Sequence, residues 1–316
     1  MAHRTKQKSA PSARQYRSRP GLSLVELLVA MAIGLTLVLL VTQLYLGSKK
    51  AFSLNDDNMR LHQEGSYAMM LMAQNLRQAG FGHLTSASFN ADAGWRTDLV
   101  NADGSPAQGL RGCDNGFVKS MAPNRNFSCS SAPGMASFEV AYRVSDSLDP
   151  ASGAGADCNG AGADSVALPP EHPAYAKGRT SVSIARNRFF VATRTGNLAA
   201  SLYCQGNMNT GAQPVINNVE DMRLIYAVAA AGEVSPLQFL NAAQVDALSA
   251  DQYENWKRVI SVKLCLQIRS NQNVTAEPQQ YVDCDGTAKL ASDRKLRAVF
   301  TRVVTLRNNA AGSLSE

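Results

Sequence analysis

The chain has 316 residues, and its 31 lysines and arginines against 25 aspartates and glutamates give a formal charge of +6. The excess lies in residues 1–21, which contain six basic residues and no acidic one, so that the rest of the chain carries 25 charges of each sign. This balance argues against a nucleic-acid-binding surface on the folded part. An apolar content of 45% is sufficient for a sizeable core and excludes a wholly disordered chain.

A long apolar run follows the basic segment directly. Residues 22–46 contain one charged side chain, Glu26, and no proline. As an α-helix this run would be about 37 Å long, which is enough to cross a hydrocarbon core of about 30 Å. It is longer than the apolar region of an ordinary signal peptide, and no small-x-small cleavage site follows it. The pattern predicts a single transmembrane helix with its basic side in the cytoplasm.

Glu26 is the first candidate functional residue. A carboxylate inside a membrane span is costly unless it is paired, so such a residue suggests a function. Cleavage of the bond between Gly21 and Leu22 would create an α-amino group close to this carboxylate. In a stack of helices from identical or related subunits, Glu26 of one subunit would neutralise the terminal amine of a neighbour.

Helical periodicity continues beyond the apolar run. Apolar or small residues recur every three or four positions from Leu54 to Ala79, and Gly80 follows as a C-terminal stop signal. We therefore expect one helix over residues 22–80, apolar on all sides in its first half and packed on one face in its second half. Gly65 and Ala68 are small and would allow close approach of a packing partner.

The remaining residues, 81–316, are expected to form a mainly antiparallel β-rich domain packed on the second half of the helix, which gives an α+β fold. The spacing also predicts a surface loop over 149–167 and one short helix over 238–249. Five runs have strand-like patterns: 137–144, 181–193, 219–228, 259–269 and 299–307.

The six cysteines favour disulfides in an oxidising compartment, because their number is even and no CxxC pair occurs. Proximity in sequence makes Cys113–Cys129 and Cys265–Cys284 the first choices and leaves Cys158–Cys204 as the third pair. The alternative is that one or two cysteines stay free and buried. Six cysteines allow 15 connectivities, so the pairing stays open at this point.

The sequence lacks the common catalytic and metal-binding motifs. The sequence has no HExxH, GxSxG, P-loop or EF-hand signature, and the four histidines lack ligand-like spacing. The stretch 283–286 contains two aspartates and a glycine, which favour a turn over an ion-binding loop. We expect no enzyme activity, no cofactor and no metal site.

Several segments resemble known proteins. The sequence Gly21-Leu22-Ser-Leu-Val-Glu26 is similar to the type IV prepilin signal, although Leu22 replaces the commoner phenylalanine. Four further segments resemble minor pilins of the PilW type: 60–68 and 76–81 near the helix end, 219–226 (VEDMRLIY) and 303–308 (VVTLRN).

The resemblance implies a leader over 1–21 that prepilin peptidase removes after Gly21, with methylation of Leu22 and Glu26 as the fifth mature residue. Residues 22–80 would form the long helix, with 22–46 in the membrane or pilus core, and 81–316 the periplasmic or extracellular domain. Before assembly, the protein would be a single-pass inner-membrane protein, and afterwards it would lie in the pilus at the cell surface.

The function that the resemblance implies is priming of pilus assembly at or near the tip. The implied partners are other minor pilins (FimU-, PilV-, PilX- and PilE-like), a PilY-type adhesin, the major pilin, prepilin peptidase and the inner-membrane assembly platform, with no nucleic acid. One alternative is a minor pseudopilin of a type II secretion system. Another is a membrane-anchored periplasmic binding protein, enzyme or DNA-uptake receptor.

The preferred disulfide pairing is directly testable. Proteolytic digestion without reduction should release three disulfide-linked peptide pairs that join Cys113 to Cys129, Cys158 to Cys204 and Cys265 to Cys284, as mass spectrometry would show. Cysteines that react with an alkylating agent in the unfolded, unreduced protein would support the alternative of free thiols instead.

Overall fold

The computed structural model describes residues 21, 23–82, 99–101, 104–118, 120–121, 127–144, 157–172, 175, 178–194, 196, 199–207, 211–230, 233 and 235–310. The leader up to Pro20 and Leu22 lie outside the described residues. Internal contacts divide the chain into two units, Met1–Phe52 and Ser53–Glu316. Helix α1 (Leu24–Gln78) is one continuous element of 55 residues that belongs to both units.

The second unit is built from antiparallel sheets. The described strands are β1 (Leu110–Cys113), β2 (Ser137–Arg143), β3 (Asp164–Ala167), β4 (Ser181–Ala192), β5 (Ser201–Gln205), β6 (Gln213–Asn217), β7 (Val219–Ala229), β8 (Pro236–Leu240), β9 (Val259–Arg269), β10 (Gln280–Val282), β11 (Ala288–Leu290) and β12 (Arg297–Thr305). The larger sheet has the strand order β1-β2-β4-β5-β6, with β3 also paired to β4, and the smaller one has the order β12-β9-β7-β8. Strands β10 and β11 form a separate hairpin.

Three short helices complete the described elements: α2 (Ala242–Asp246), α3 (Gln252–Lys257) and α4 (Arg307–Ala310). Asn241 begins α2 with a capping box, because its side chain accepts from the Gln244 N–H while the Gln244 side chain accepts from the Asn241 N–H. Asp251 begins α3 by accepting from the N–H groups of Tyr253 and Glu254.

One face of α1 in the second unit contributes to the main core. Leu61, Ala68, Met72 and Leu76 are buried together with inward-facing residues of both sheets. Gly65 lies against the ring of Phe300 on β12, so closely that an added Cβ would overlap the ring. The small residue is therefore required by this contact, in agreement with the close approach expected from the sequence.

The C-terminal end of α1 is held by distant parts of the chain. Gly80 has φ +75°, which ends the helix in the left-handed conformation that glycine adopts without strain. The Gly80 N–H donates to the carbonyl oxygen of Ala141 at 2.9 Å. The Asn308 side-chain amide donates to the carbonyl oxygen of Ala79 at 2.9 Å. The Asn308 bond satisfies a carbonyl group that the helix end leaves without an intrahelical partner, and the Gly80 bond ties the residues after the helix to strand β2.

The predicted antiparallel α+β fold is confirmed, but two local predictions are wrong. The expected helix over 238–249 begins inside strand β8, which pairs with β7 and is followed by the shorter helix α2. The expected loop over 149–167 contains strand β3, which pairs with the start of β4. In both places pairing to a neighbouring strand decides the local structure, and sequence pattern alone cannot see that neighbour.

A charged cluster fixes one end of the smaller sheet. Arg297 on β12 donates to both carboxylate oxygens of Glu220 on β7, at 2.8 and 2.9 Å, and to Asp293 at 2.7 Å. Gln267 on β9 donates to Glu220 at 2.9 Å. The Arg297 hydrogen bond holds the pKa of Asp293 below its ordinary value. The guanidinium side chain, which is largely buried, thus links three neighbouring segments.

The contact between Gly65 and Phe300 predicts an effect on stability. Gly65→Ala should lower the free energy of unfolding by about 1–3 kcal/mol, because the Phe300 ring must move out of its packed position. Thermal unfolding of the detergent-solubilised full chain measures the effect. Gly47→Ala is the matched control, because no atom lies within 4 Å of an added Cβ there. A Gly65→Ala protein as stable as the wild type would contradict the close packing.

The charged cluster predicts a pH effect. The pKa of Asp293 is lower in the folded protein than its ordinary value of 3.8, so the ionised carboxylate stabilises the fold above pH 3.8. This stabilisation is lost as the pH falls through the folded-state pKa. Asp293→Asn should therefore cost up to about 1 kcal/mol at pH 7. The difference from the wild type should shrink as the pH falls below 3.8 and through the lower folded-state pKa. Unfolding curves at several pH values measure it, with the exposed Asp56→Asn as control. A difference that does not change with pH would refute the coupling.

Candidate functional site

The N-terminal end of α1 is a capping box made by Ser23 and Glu26. The Ser23 N–H donates to the Glu26 carboxylate at 3.0 Å, and the Glu26 N–H donates to the Ser23 hydroxyl oxygen at 3.2 Å. The two residues thereby satisfy two backbone donors that would otherwise lack partners. This role of Ser23 was missed from the sequence, although the spacing Ser-x-x-Glu is a known signal for a helix start.

Glu26 lies within reach of the first residues of the helix and is exposed. One of its carboxylate oxygens, Oε2, accepts the Ser23 N–H, and no ion pair of Glu26 occurs among the described residues. Its negative charge is also placed at the positive end of the α1 dipole, which is a favourable position for a carboxylate. The arrangement holds one negative charge at the start of an apolar helix. Leu22, whose α-amino group is the expected partner after cleavage, lies outside the described residues.

The first half of α1 presents an apolar surface that no described residue covers. Among the described helices, α1 is long and apolar enough to cross a membrane, and its apolar stretch is fully exposed. The hydroxyl groups of Thr36 and Thr42 donate to carbonyl oxygens of Ile33 and Val38, at 2.8 and 2.7 Å. These two hydroxyl groups are therefore satisfied within the helix, as a low-dielectric surrounding requires.

The second half of α1 contains a buried polar network. The Asn187 side-chain amide on β4 donates to Asn75 Oδ1 at 2.7 Å and to the Tyr142 hydroxyl at 2.9 Å. The Cys158 N–H donates to Asn187 Oδ1 at 3.0 Å. Burial raises the pKa of Tyr142, which keeps the hydroxyl neutral inside this network. Because these groups are buried and hydrogen-bonded to each other, they specify how the helix docks on the larger sheet. Sequence reasoning did not identify this network, whose members lie far apart along the chain.

The segments that carry the sequence resemblance have structural roles. In 219–226, Glu220 accepts from Arg297 in the charged cluster, and Met222 is fully buried. The segment 303–308 ends with Asn308, which caps α1. In 60–68, Gly65 contacts Phe300. The segments therefore lie where the long helix and the smaller sheet are fixed to one another.

All six cysteines are paired in the structure. Disulfides join Cys113 to Cys129, Cys158 to Cys204 and Cys265 to Cys284, with Cα–Cα distances of 5.3, 6.4 and 5.7 Å. These are the three pairs preferred from sequence proximity. The first fastens a loop onto β1, the second a turn onto β5, and the third the β10–β11 hairpin onto β9. Each bond therefore restrains a peripheral segment on a sheet strand.

The acidic stretch 283–286 forms the turn of the β10–β11 hairpin. One Asp283 carboxylate oxygen accepts from the N–H groups of Asp285 and Thr287, and the other pairs with Lys289 at 2.5 Å. The Lys289 hydrogen bond lowers the pKa of Asp283. Within the described residues, no group of three or more histidines, cysteines, aspartates or glutamates could hold a metal ion.

Two protein families match this chain, one near its N-terminus and one in its C-terminal half. The family described as Type IV Pilus-assembly protein W (PilW) matches residues 188–308, from β4 to α4. A prokaryotic N-terminal methylation motif matches residues 16–42, which include Gly21 and Glu26. The resembling segments 60–68 and 76–81 lie outside both matches. No curated protein matches the chain.

One similar solved structure is the type IV-like pilin TTHA1219 from Thermus thermophilus. It is 11% identical, covers 79% of this chain and 97% of its own, and has a TM-score of 0.37. The methylation motif, the exposed apolar helix and the PilW match are all features of pilins, whose role is structural and not enzymatic. The two family matches support a PilW-like type IV pilin, and the methylation motif with the apolar helix fits a membrane-anchored, pilus-related protein.

Proposed function

We propose that this protein is a minor pilin that primes type IV pilus assembly and is incorporated at or near the pilus tip together with other minor pilins. The observation that carries the proposal is an apolar helix surface that none of the described residues covers, with one carboxylate at its start. Such a helix requires either lipid or the helices of neighbouring subunits around it.

The assembly step follows from the chemistry of the helix start. Prepilin peptidase would cleave after Gly21 on the cytoplasmic side and methylate the new amine of Leu22, which keeps its positive charge. When the subunit leaves the lipid, its apolar helix packs among other helices, and Glu26 pairs with the terminal amine of a neighbour. In a low-dielectric bundle, this ion pair is strong, and a mismatched stagger of two helices leaves both charges unpaired.

The folded unit supplies partner specificity. Its disulfides are consistent with a periplasmic environment before assembly, because disulfides persist in oxidising compartments. We propose that it meets other minor pilins (FimU-, PilV-, PilX- and PilE-like), the major pilin and a PilY-type tip adhesin, while the assembly platform acts on the membrane-inserted form. Loss of surface pili and twitching on gene deletion, with type II secretion intact, would separate this role from that of a pseudopilin.

Substitutions at the two ends of the signal should separate processing from assembly. Gly21→Ala should leave the precursor uncleaved, since the peptidase site loses its glycine. Glu26→Ala should be cleaved normally but recovered in sheared pili at least about tenfold less, because the neighbour's amine stays unpaired in an apolar bundle. Immunoblots of membranes and sheared pili measure both effects.

The matched control is Glu277→Ala, which removes an exposed carboxylate from the folded unit. It should behave like the wild type in both assays. Normal incorporation of the Glu26→Ala protein would contradict the proposed pairing. A Gly21→Ala protein of the same size as the cleaved wild type would contradict the proposed cleavage site.

A further inference from the structure

A polar cleft of about 490 Å³ lies beside α1 in the second unit. Its walls come from three separate parts of the chain. The first wall comes from α1 (Asp57, Arg60, Leu61, Glu64), the second from Gly196, Ala199, Ser201, Asn217 and Asn218, and the third from Arg269, Ser270 and Asn271 at the end of β9. The cleft therefore exists only when the helix and both sheets are assembled.

Two carboxylates on the helix wall, those of Asp57 and Glu64, are partly buried. They are seven residues apart and thus on the same side of α1, about 10 Å apart along its axis. Within the described part of the chain, neither carboxylate has an ion-pair or hydrogen-bond partner. Arg60, between them, is exposed and likewise makes no ion pair with a described residue.

The opposite wall offers hydrogen-bonding groups but no free charge. The Arg269 guanidinium lies 3.6 Å from Glu220 and 3.6 Å from Asp293, so its charge is already balanced. The side-chain amides of Asn218 and Asn271 make no hydrogen bond to any described residue. The cleft thus contains two unpaired acids, one exposed unpaired base and two unpaired amides.

Asn218 is held in this wall by its backbone. It has φ +58°, in the left-handed region that asparagine tolerates better than most residues. It connects β6 of the larger sheet to β7 of the smaller one, and its carbonyl oxygen accepts the Arg269 N–H at 3.0 Å. The turn between the sheets therefore fixes the amide side of the cleft in advance of any ligand.

We propose that this cleft receives a lysine or arginine side chain, presented by a peptide segment of a neighbouring pilin subunit. The excess of unpaired carboxylates fits a cation, and the asparagine amides fit the main-chain carbonyl groups of the segment that bears it. The inference rests on the proposed function, in which neighbouring subunits pack along α1 and so pass the helix wall of the cleft.

The test measures the amount of the full-length protein in sheared pili for two kinds of variant. Asp57→Asn with Glu64→Gln removes the charge and keeps the shape, and Ala199→Trp fills the cleft from the wall opposite the helix. Each should reduce recovery in pili about fivefold, as expected for loss of one charge-assisted contact. Asp56→Asn and Ala288→Trp are matched controls on exposed positions outside the cleft and should leave recovery unchanged.

Membrane levels and thermal unfolding of each variant establish that it is processed and folded. If a cleft variant fails to fold, Asn271→Gln is used in its place, because this substitution moves one amide of the wall by one methylene. Reduced recovery of both cleft variants, together with a photo-crosslink from position 271 to a basic residue of an identified pilin, supports the proposal. Wild-type recovery of the cleft variants overturns it while leaving the Glu26 result, and hence the proposed function, intact. If recovery falls for the carboxylate variant alone, the effect lies on the helix surface, and this result also overturns the proposal.

Discussion

Continuity of α1 is the constraint on which the rest of the structure depends. A single helix of 55 residues has an apolar surface on all sides in its first half and a narrow buried face in its second half. The first surface has to be covered by lipid or by other helices, and the second is covered by the two sheets. The two sheets therefore have to hold the second half of the helix firmly within the folded unit. The buried Asn75–Asn187 bond, the Gly65–Phe300 contact and the Asn308 cap provide that hold.

The contacts that hold α1 on the sheets involve residues from both ends of the chain. Asn308 follows the last strand, yet it satisfies carbonyl groups at the end of the first helix. Glu220 and Arg297 connect the middle of the chain to the strand that packs on Gly65. This explains why the segments resembling PilW-type proteins are scattered along the sequence. They converge at the helix–sheet junction.

The sequence predicted those features that depend on local periodicity. The long helix follows from its hydrophobic spacing, and strand β9 has the predicted bounds of 259–269 because its pattern is long and uninterrupted. The short strands β5, β6 and β8 were not predicted, since five residues give too weak a pattern and pairing with a neighbour decides their conformation. The cleft and the Asn187 network also escaped sequence reasoning, because their members come from segments far apart along the chain. Glu26 was identified from its cost in a membrane, but its partnership with Ser23 was not.

If this protein becomes a processed subunit of a pilus, its N-terminal peptide carries the evidence. Mass spectrometry of that peptide, from protein recovered in sheared and washed pili, should find a peptide that begins with N-methylated Leu22. The proposed processing and assembly are wrong if the protein is found in the membrane fraction alone, keeps its leader or begins at another residue.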